Sequence, residues 1–145
     1  MKDLLVDNTV AKNFCNPLDP EYKLLVKWLF EEGVLVVTQR LLVEYIATAG
    51  TSGSNTSMPA VIDYLTRVGR LARFGKRELA DFRIPPRVAR RLRSNPEDHD
   101  SVKAVMLSVR KFALSHDDAF RHDVNNFPGF AAVAAIRPCD IPYSS

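Results

Sequence analysis

The chain has 145 residues, of which 46% are hydrophobic and 26% are charged, and its formal net charge is +3. This length and composition predict a single folded domain over residues 1–145 and argue against a disordered chain. Since no stretch approaches the roughly 18 apolar residues of a membrane span and the N-terminal residues lack a signal-peptide core, we expect a cytoplasmic protein without a membrane partner.

The first half of the chain predicts an alternation of strands and helices. Apolar runs at residues 4–6 and 34–37 are typical of short, fully buried strands in a parallel sheet. A helix is expected between them, beginning at Pro20 and ending at Gly33. A second helix is expected after the second strand, with Thr38 as its cap. Its predicted apolar stripe consists of Leu41, Leu42, Tyr45 and Ile46.

The middle of the chain predicts a departure from this alternation. Residues 49–57, rich in Gly, Ser and Thr, predict a surface loop, and residues 58–93 predict a basic helical excursion that Pro85 and Pro86 interrupt. Residues 67–93 hold ten bases against two acids, a charge of +8, so the remaining residues carry −5. This split favours a basic surface for an anionic partner beside an acidic region that could hold a cation, although a solvated helical face explains the basic run equally well.

The last third of the chain predicts one helix and two more strands. Residues 94–97 have the pattern of a capping box and predict the start of a helix. Residues 112–115 and 130–136 are apolar runs that predict the third and last strands. Strands that alternate with helices indicate an α/β fold, a doubly wound and mainly parallel sheet flanked by helices, with its site beyond the carboxyl ends of the strands.

Acidic residues stand where these predicted strands end or where the neighbouring helices begin. Asp7 ends the first strand, Glu44 lies on the helix after the second, and Asp117 follows the third. Asp98 and Asp100 lie in the first turn of the helix before the third strand. Taken singly, each acid is explained by a strand end, a solvated helix surface, a helix N-terminus or a turn, but together they would repel one another at one sheet edge and require a cation. Oxygen ligands favour Mg²⁺ or Mn²⁺ over zinc.

Four segments, in this order, resemble the PIN-domain nucleases, a family that includes toxin ribonucleases of bacterial toxin–antitoxin modules. The segments are residues 5–10, 36–45, 98–100 and 112–120. The resemblance implies a PIN-like fold and an endoribonuclease that hydrolyses RNA with Mg²⁺ or Mn²⁺, in which water attacks the phosphate and no protein nucleophile is required. It also implies an antitoxin protein and a second copy of the chain as possible partners.

The resemblance assigns roles to particular residues of this sequence. Asp7, Glu44 and Asp117 would be catalytic acids together with Asp98 or Asp100, and the metal ligands would come from Asp7, Asp117 and one or both of that pair. The supporting polar residues would be Asn8, Thr9 and Ser115. The first motif departs from the family, because Asp-Asn-Thr-Val replaces the usual Asp-Thr-Asn-Val or Asp-Thr-Ser-Val. The candidate RNA-binding residues are Arg87, Arg90, Arg91 and Arg93.

Two other functions remain open at this point. A noncatalytic PIN-like domain would bind RNA or a protein through the basic region, and the altered Asn8-Thr9 pair supports it. A phosphoryl-transfer or receiver protein would use a similar acidic pocket. That class is less well supported, because the chain has no convincing nucleophile motif and has Arg137 where a lysine would be expected after the last strand.

Overall fold

A parallel β-sheet lies at the centre of the fold, with helices packed against it. The computed structural model describes residues 2–12, 19–51 and 58–142. The strands in these ranges are β1 (Asp3–Val6), β2 (Val34–Thr38), β3 (Leu71–Phe74), β4 (Phe112–Leu114) and β5 (Val133–Ala135). The α-helices in the same ranges are α1 (Asn8–Ala11), α2 (Pro20–Glu31), α3 (Gln39–Thr51), α4 (Met58–Arg67), α5 (Lys76–Asp81), α6 (Pro86–Ala89), α7 (His99–Leu107) and α8 (Asp118–Asn125). Two 3₁₀ helices, Pro96–Asp98 and Pro138–Asp140, complete the described elements.

The strand order places a reversal of the chain beside β1. The order across the sheet is β3-β2-β1-β4-β5, and every pair of neighbours is parallel. The chain therefore moves outward from β1 through β2 to β3 and then returns to the other side of β1 at β4. This confirms the predicted doubly wound α/β class, in which ligands bind beyond the carboxyl ends of the strands at the reversal.

Local signals specify the first strands and helices as predicted. All residues of β1 are buried, and the Asp19 carboxylate caps α2 by accepting from the Glu21 backbone N–H at 2.9 Å. Gly33 ends that helix, where a Cβ atom would lie 2.6 Å from the ring of Trp28. The Thr38 hydroxyl accepts from a backbone N–H in the first turn of α3 at 3.1 Å, so the predicted cap is confirmed.

Two predictions about α3 are wrong in part. Leu41 and Tyr45 are buried as expected, but Ile46 is 62% exposed, because the buried face of the helix follows the four-residue spacing of the first two. The helix also continues to Thr51, so the predicted loop does not include residues 49–51. Residues 52–57 of that loop lie outside the described residues.

The predicted helical excursion at residues 58–93 contains a strand and is wrong in that respect. Between α4 and α5 the chain forms β3, which pairs with β2 from Leu35↔Leu71 to Thr38↔Phe74. Its side chains are half-buried or exposed and include Arg73, so the strand lacks the apolar run of a central strand. A charged side chain on an edge strand also discourages pairing with another chain.

The predicted capping box at residues 94–97 is also wrong. The hydroxyl of Ser94 donates to the buried carboxylate of Asp123 instead of capping a helix, and α7 begins only after the 3₁₀ helix.

At the far edge of the sheet, the side-chain amide of Asn125 bonds both the N–H and the C=O of Ala134, which covers the open side of β5. Among the described residues no helix has the length and apolar character that crossing a membrane requires.

Candidate functional site

The carboxylate of Asp7 lies at the chain reversal between β1 and β4, held by neighbouring donors. One oxygen accepts from the hydroxyls of Thr9 at 2.8 Å and Ser115 at 2.7 Å. The other accepts from the backbone N–H of Asn8 at 2.9 Å. Hydrogen bonds to a charged acceptor are the strong ones, so these donors fix the carboxylate in one orientation.

The same hydroxyls tie the end of β1 to the end of β4. The Ser115 hydroxyl, fully buried, accepts from the backbone N–H of Asp117 at 3.0 Å. The Thr9 hydroxyl accepts from the backbone N–H of His116 at 3.0 Å. Thr9 and Ser115 therefore occupy the positions from which the predicted supporting residues would act.

The side chain of Asn8 is placed differently. Its amide donates to the hydroxyl of Thr48 at 2.8 Å and so holds α1 against α3. Asn8 contacts the carboxylate of Asp7 through its backbone N–H instead of its side chain. The altered order of the first motif thus puts the threonine, rather than the asparagine, beside the carboxylate. A hydroxyl is suited to that place because it donates to Asp7 and accepts from His116 at the same time.

Asp117 reaches this edge as the N-cap of α8. Its Oδ1 accepts from the backbone N–H groups of Ala119 at 2.9 Å and Phe120 at 3.2 Å. In the described part of the chain, no hydrogen bond to its Oδ2 is seen. One oxygen therefore fixes the side chain on the helix, while the other is available to a ligand.

Glu44 and Asp98 are brought into the electric field of these carboxylates. Burial raises the pKa of Glu44, and the charges of Asp7 and Asp98 raise it further, while Arg40 opposes them. Burial likewise raises the pKa of Asp98, with further increases from Asp117 and Asp7. Asp7, Glu44, Asp98 and Asp117 therefore form one electrostatic group, which we call the acidic group.

Asp100 stands apart from the acidic group. It is half-buried in the first turn of α7, where its charge favours the helix N-terminus. The charges of Arg40, Asp7 and Asp98 act on Glu44, those of Asp117, Asp7, Arg40 and Glu97 act on Asp98, and Asp100 is not among them. Of the two candidates, Asp98 is therefore the one on which the charges of Asp7 and Asp117 act.

Arg40 is a member of the site that the sequence analysis did not identify. Its Nε bonds Glu44 at 3.0 Å and its second guanidinium nitrogen lies 3.1 Å from Glu97. It therefore bridges α3 and the 3₁₀ helix that carries Asp98, and it offsets part of the negative charge. The four-residue spacing of Arg40 and Glu44 on one helix is the signal that could have revealed this pair.

The donor chemistry of the acidic group suits a hard divalent cation, but its spacing is wide. Within residues 2–12, 19–51 and 58–142, no three His, Cys, Asp or Glu side chains are close enough together to hold a metal ion. An ion placed here would therefore contact one or two carboxylates and take its remaining ligands from water or phosphate. Mg²⁺ is commonly bound in this way, since it keeps several of its waters.

The arginines of the basic segment divide into two kinds. Arg70 is structural: its guanidinium donates at 2.7 Å to the carbonyls of Leu29, Phe30 and Gly33 at the end of α2. The candidate RNA-binding residues are exposed and make no ion pair or side-chain hydrogen bond with another described residue; they are Arg87, Arg90, Arg91 and Arg93. Charge that is not already paired is available to an anionic partner.

Comparisons of the chain with protein-family models, with curated proteins and with solved structures found no match. The resemblance to the PIN-domain nucleases therefore stays a prediction that rests on the residues themselves. The structure contributes the parallel α/β fold and the acidic group at the reversal of that fold.

Proposed function

We propose that the chain is a metal-dependent endoribonuclease that hydrolyses RNA phosphodiester bonds at the acidic group. The observation that carries this proposal is the convergence of Asp7, Glu44, Asp98 and Asp117 on one edge of the sheet, where their charges act on one another. Like charges gathered at one place are costly unless a cation binds there. The predicted ligand is Mg²⁺ or Mn²⁺.

The residues of the acidic group have different tasks in this proposal. Asp7, fixed by its hydrogen bonds, and Asp117, with its Oδ2 available, would contact the ion, and Asp98 would act on it through an ion-bound water. When bound, the ion would supply Lewis-acid polarisation of a phosphate oxygen. Glu44, whose pKa is raised chiefly by burial, is suited to take a proton from the attacking water.

The exposed arginines support RNA as the substrate. Arg87, Arg90, Arg91 and Arg93 lie on or directly after α6, and the chain runs from there through Ser94 to Asp98. Guanidinium groups that are free of ion pairs attract phosphates whatever the base sequence of the RNA is. This attraction weakens as the salt concentration rises. A polyanion bound by these side chains would therefore lie beside the acidic group.

A cleavage assay tests the proposal. Purified protein is incubated with a mixed-sequence RNA in Mg²⁺, Mn²⁺ or EDTA, alongside Asp7→Asn, Asp117→Asn and the matched control Asp63→Asn. Asp63 is an exposed acid on α4 that pairs with Arg67. We expect metal-dependent cleavage by the native chain and the control, and its loss in the other two variants. Cleavage that persists in EDTA, or equally in all variants, would assign the activity to a contaminant and contradict the proposal.

A noncatalytic RNA-binding domain is the second candidate function. The spacing of the acids, too wide for three of them to share one ion, and the charge of Arg40 beside Glu44 favour it. Thermal unfolding distinguishes the two. If Mg²⁺ or Mn²⁺ raises the melting temperature of the native chain but not of Asp7→Asn, the acidic group binds metal; tight RNA binding with no metal effect and no cleavage would favour the noncatalytic domain.

A further inference from the structure

A cleft of about 740 Å³ lies between α6 and α8, apart from the acidic group. One wall comes from residues between 85 and 92, the other from residues between 122 and 128. Clefts of roughly 300–1,000 Å³ are the size that small organic ligands occupy. None of the tasks given above to the acidic group uses this space.

The charge of the cleft favours an anion. Arg87 and Arg91 line it, and both are exposed and without an ion pair in the described part of the chain. Asp123 also lines it, but its oxygens already accept from the backbone N–H groups of Arg93 and Ser94, at 2.8 and 2.9 Å, and from the Ser94 hydroxyl. The carboxylate is thus occupied in holding the chain, which leaves the two guanidinium groups as the charges open to a ligand.

Two polar side chains add hydrogen-bonding groups to the α8 wall. The Asn126 amide nitrogen lies 3.2 Å from Nδ1 of His122 and donates to the His122 carbonyl at 2.8 Å. Because an amide nitrogen can only donate, Nδ1 accepts in this contact and Nε2 carries the ring hydrogen. For a ligand in the cleft, the Nε2–H of His122 can therefore serve as a donor and the side-chain amide oxygen of Asn126 as an acceptor.

The remaining lining is apolar and partly rigid. Leu92 and Phe127 lie on opposite walls, and Phe127 is only 6% exposed. Its ring packs against Phe82, with centroids 6.1 Å apart, and edge-on against Phe130 at 5.4 Å. A flat ligand would meet a preformed apolar surface here, with polar groups at its edge. A flat ring with hydrogen-bonding edges that carries a phosphate is a nucleotide.

Both walls lead directly to the acidic group. His122 is five residues after Asp117 on α8, which is about 7 Å along a helix at roughly 1.5 Å per residue. The other wall continues from Leu92 through the segment that Asp123 holds and reaches Asp98. A nucleotide in the cleft would therefore lie close to a phosphodiester at the acidic group.

From this geometry we infer that the cleft binds one nucleotide of the substrate RNA, near the bond that is cleaved. The base lies against Leu92 and Phe127, and the phosphate contacts Arg87 and Arg91. The inference rests on the proposed function in naming RNA as the source of the nucleotide. A free mononucleotide has the same chemistry, and the experiment separates the two sources.

The first arm measures binding without catalysis. AMP, GMP, CMP, UMP and inorganic phosphate are each titrated in EDTA into the ¹⁵N-labelled chain, and chemical shifts are followed. We expect saturable shifts at residues 86–92 and 122–127 for at least one nucleotide, with an affinity about tenfold or more above that of phosphate. Arg91→Ala should weaken this binding about tenfold, as the loss of a charged hydrogen bond predicts. The matched control Arg77→Ala removes an exposed charge on α5 that does not line the cleft, and should change it less than about twofold.

The second arm maps the bonds cleaved in mixed-sequence RNA. If the cleft selects a base, the cleaved sites share a preferred base at a fixed offset, and Arg91→Ala reduces that preference whereas Arg77→Ala retains it. Nucleotide binding by a chain that neither binds nor cleaves the RNA would leave the cleft supported, identify a free nucleotide as its ligand and overturn the endoribonuclease alone. Equal affinity for phosphate and all nucleotides, or equal effects of the two arginine variants, would overturn the nucleotide cleft. Unchanged shifts outside the cleft confirm that each variant is folded.

Discussion

The hydroxyl of Ser115 is expected to stabilise the fold more than an ordinary buried serine, because it joins two carboxylate-bearing segments. Ser115→Ala removes the donor to Asp7 and leaves the backbone N–H of Asp117 without its acceptor. A hydrogen bond to a charged group contributes about 1.5–3 kcal/mol, and an unsatisfied buried donor costs about 1–3 kcal/mol. Since part of this cost is recovered by relaxation, we expect the free energy of unfolding to fall by about 2–4 kcal/mol.

Ser108 provides a matched control for the same substitution. It is 4% exposed and Ser115 is fully buried, so the burial of the two is similar. The Ser108 hydroxyl donates at 2.6 Å to the carbonyl of Val105, a neutral acceptor at the end of α7. Ser108→Ala should therefore cost only about 0.5–1.5 kcal/mol, the contribution of a neutral hydrogen bond.

Urea unfolding in EDTA, followed by circular dichroism, measures both variants on the same scale. The hydrogen bond between Ser115 and the Asp7 carboxylate is supported if Ser115→Ala lowers the free energy of unfolding by about 1.5 kcal/mol more than Ser108→Ala does. Equal losses, or a loss below about 0.5 kcal/mol for Ser115→Ala, would refute it. In the RNA assay, Ser115→Ala should reduce metal-dependent cleavage about 10- to 100-fold, as for residues that orient metal ligands, while Ser108→Ala should not change it.

Three further predictions concern stability. The carboxyls of Glu44 and Asp98 have raised pKa values in the folded chain, so their contribution to stability is complete below the unfolded-state pKa and is lost as pH rises through the folded-state pKa. The free energy of unfolding in EDTA should therefore decrease over that pH range. Glu44→Gln should flatten the fall, and an unchanged pH profile would contradict this. Arg70→Ala should lower the urea midpoint through a loss of about 2–4 kcal/mol, because three carbonyls at the end of α2 lose their donor; a loss under about 0.5 kcal/mol would contradict that role. Gly33→Ala should lower the melting temperature, since its Cβ would lie 2.6 Å from the Trp28 ring, and an unchanged melting temperature would show that the ring moves freely.

Much of the fold could be predicted because its central elements carry local signals. Residues 4–6 of β1 form a fully buried apolar run, and α2 has its cap at Asp19 and its stop at Gly33 within the same short segment. The edge strand β3 could not be predicted in this way, because its outer edge is unpaired and its side chains are half-buried or exposed. An edge strand of this kind is defined by its partner, β2, rather than by its own composition.

The candidate site shows the same division. Asp7 and Asp117 could be placed in advance, because Asp7 directly follows β1 and Asp117 lies three residues after the end of β4. The positions of Ser94 and Asn8 could not be predicted, because they depend on contacts between residues that are far apart in the sequence. The hydroxyl of Ser94 donates to Asp123, 29 positions further along the chain, and therefore does not form the expected capping box. Asn8 turns to Thr48 on α3, 40 positions away, and leaves Thr9 beside the carboxylate.

The separation of charge in this fold has a consequence for how RNA would be handled. Thr9 and Ser115 hold the carboxylate of Asp7 in the acidic group at the end of the sheet, whereas the exposed arginines lie on and after the short helix α6. The arginines would attract RNA whether or not a cation is present, because phosphate contacts depend on charge alone. A phosphodiester would nevertheless be repelled from the carboxylates until a cation neutralises them. Binding in EDTA and cleavage in Mg²⁺ therefore report on different parts of the molecule, and substitutions at Arg90 and Asp7 should affect them separately.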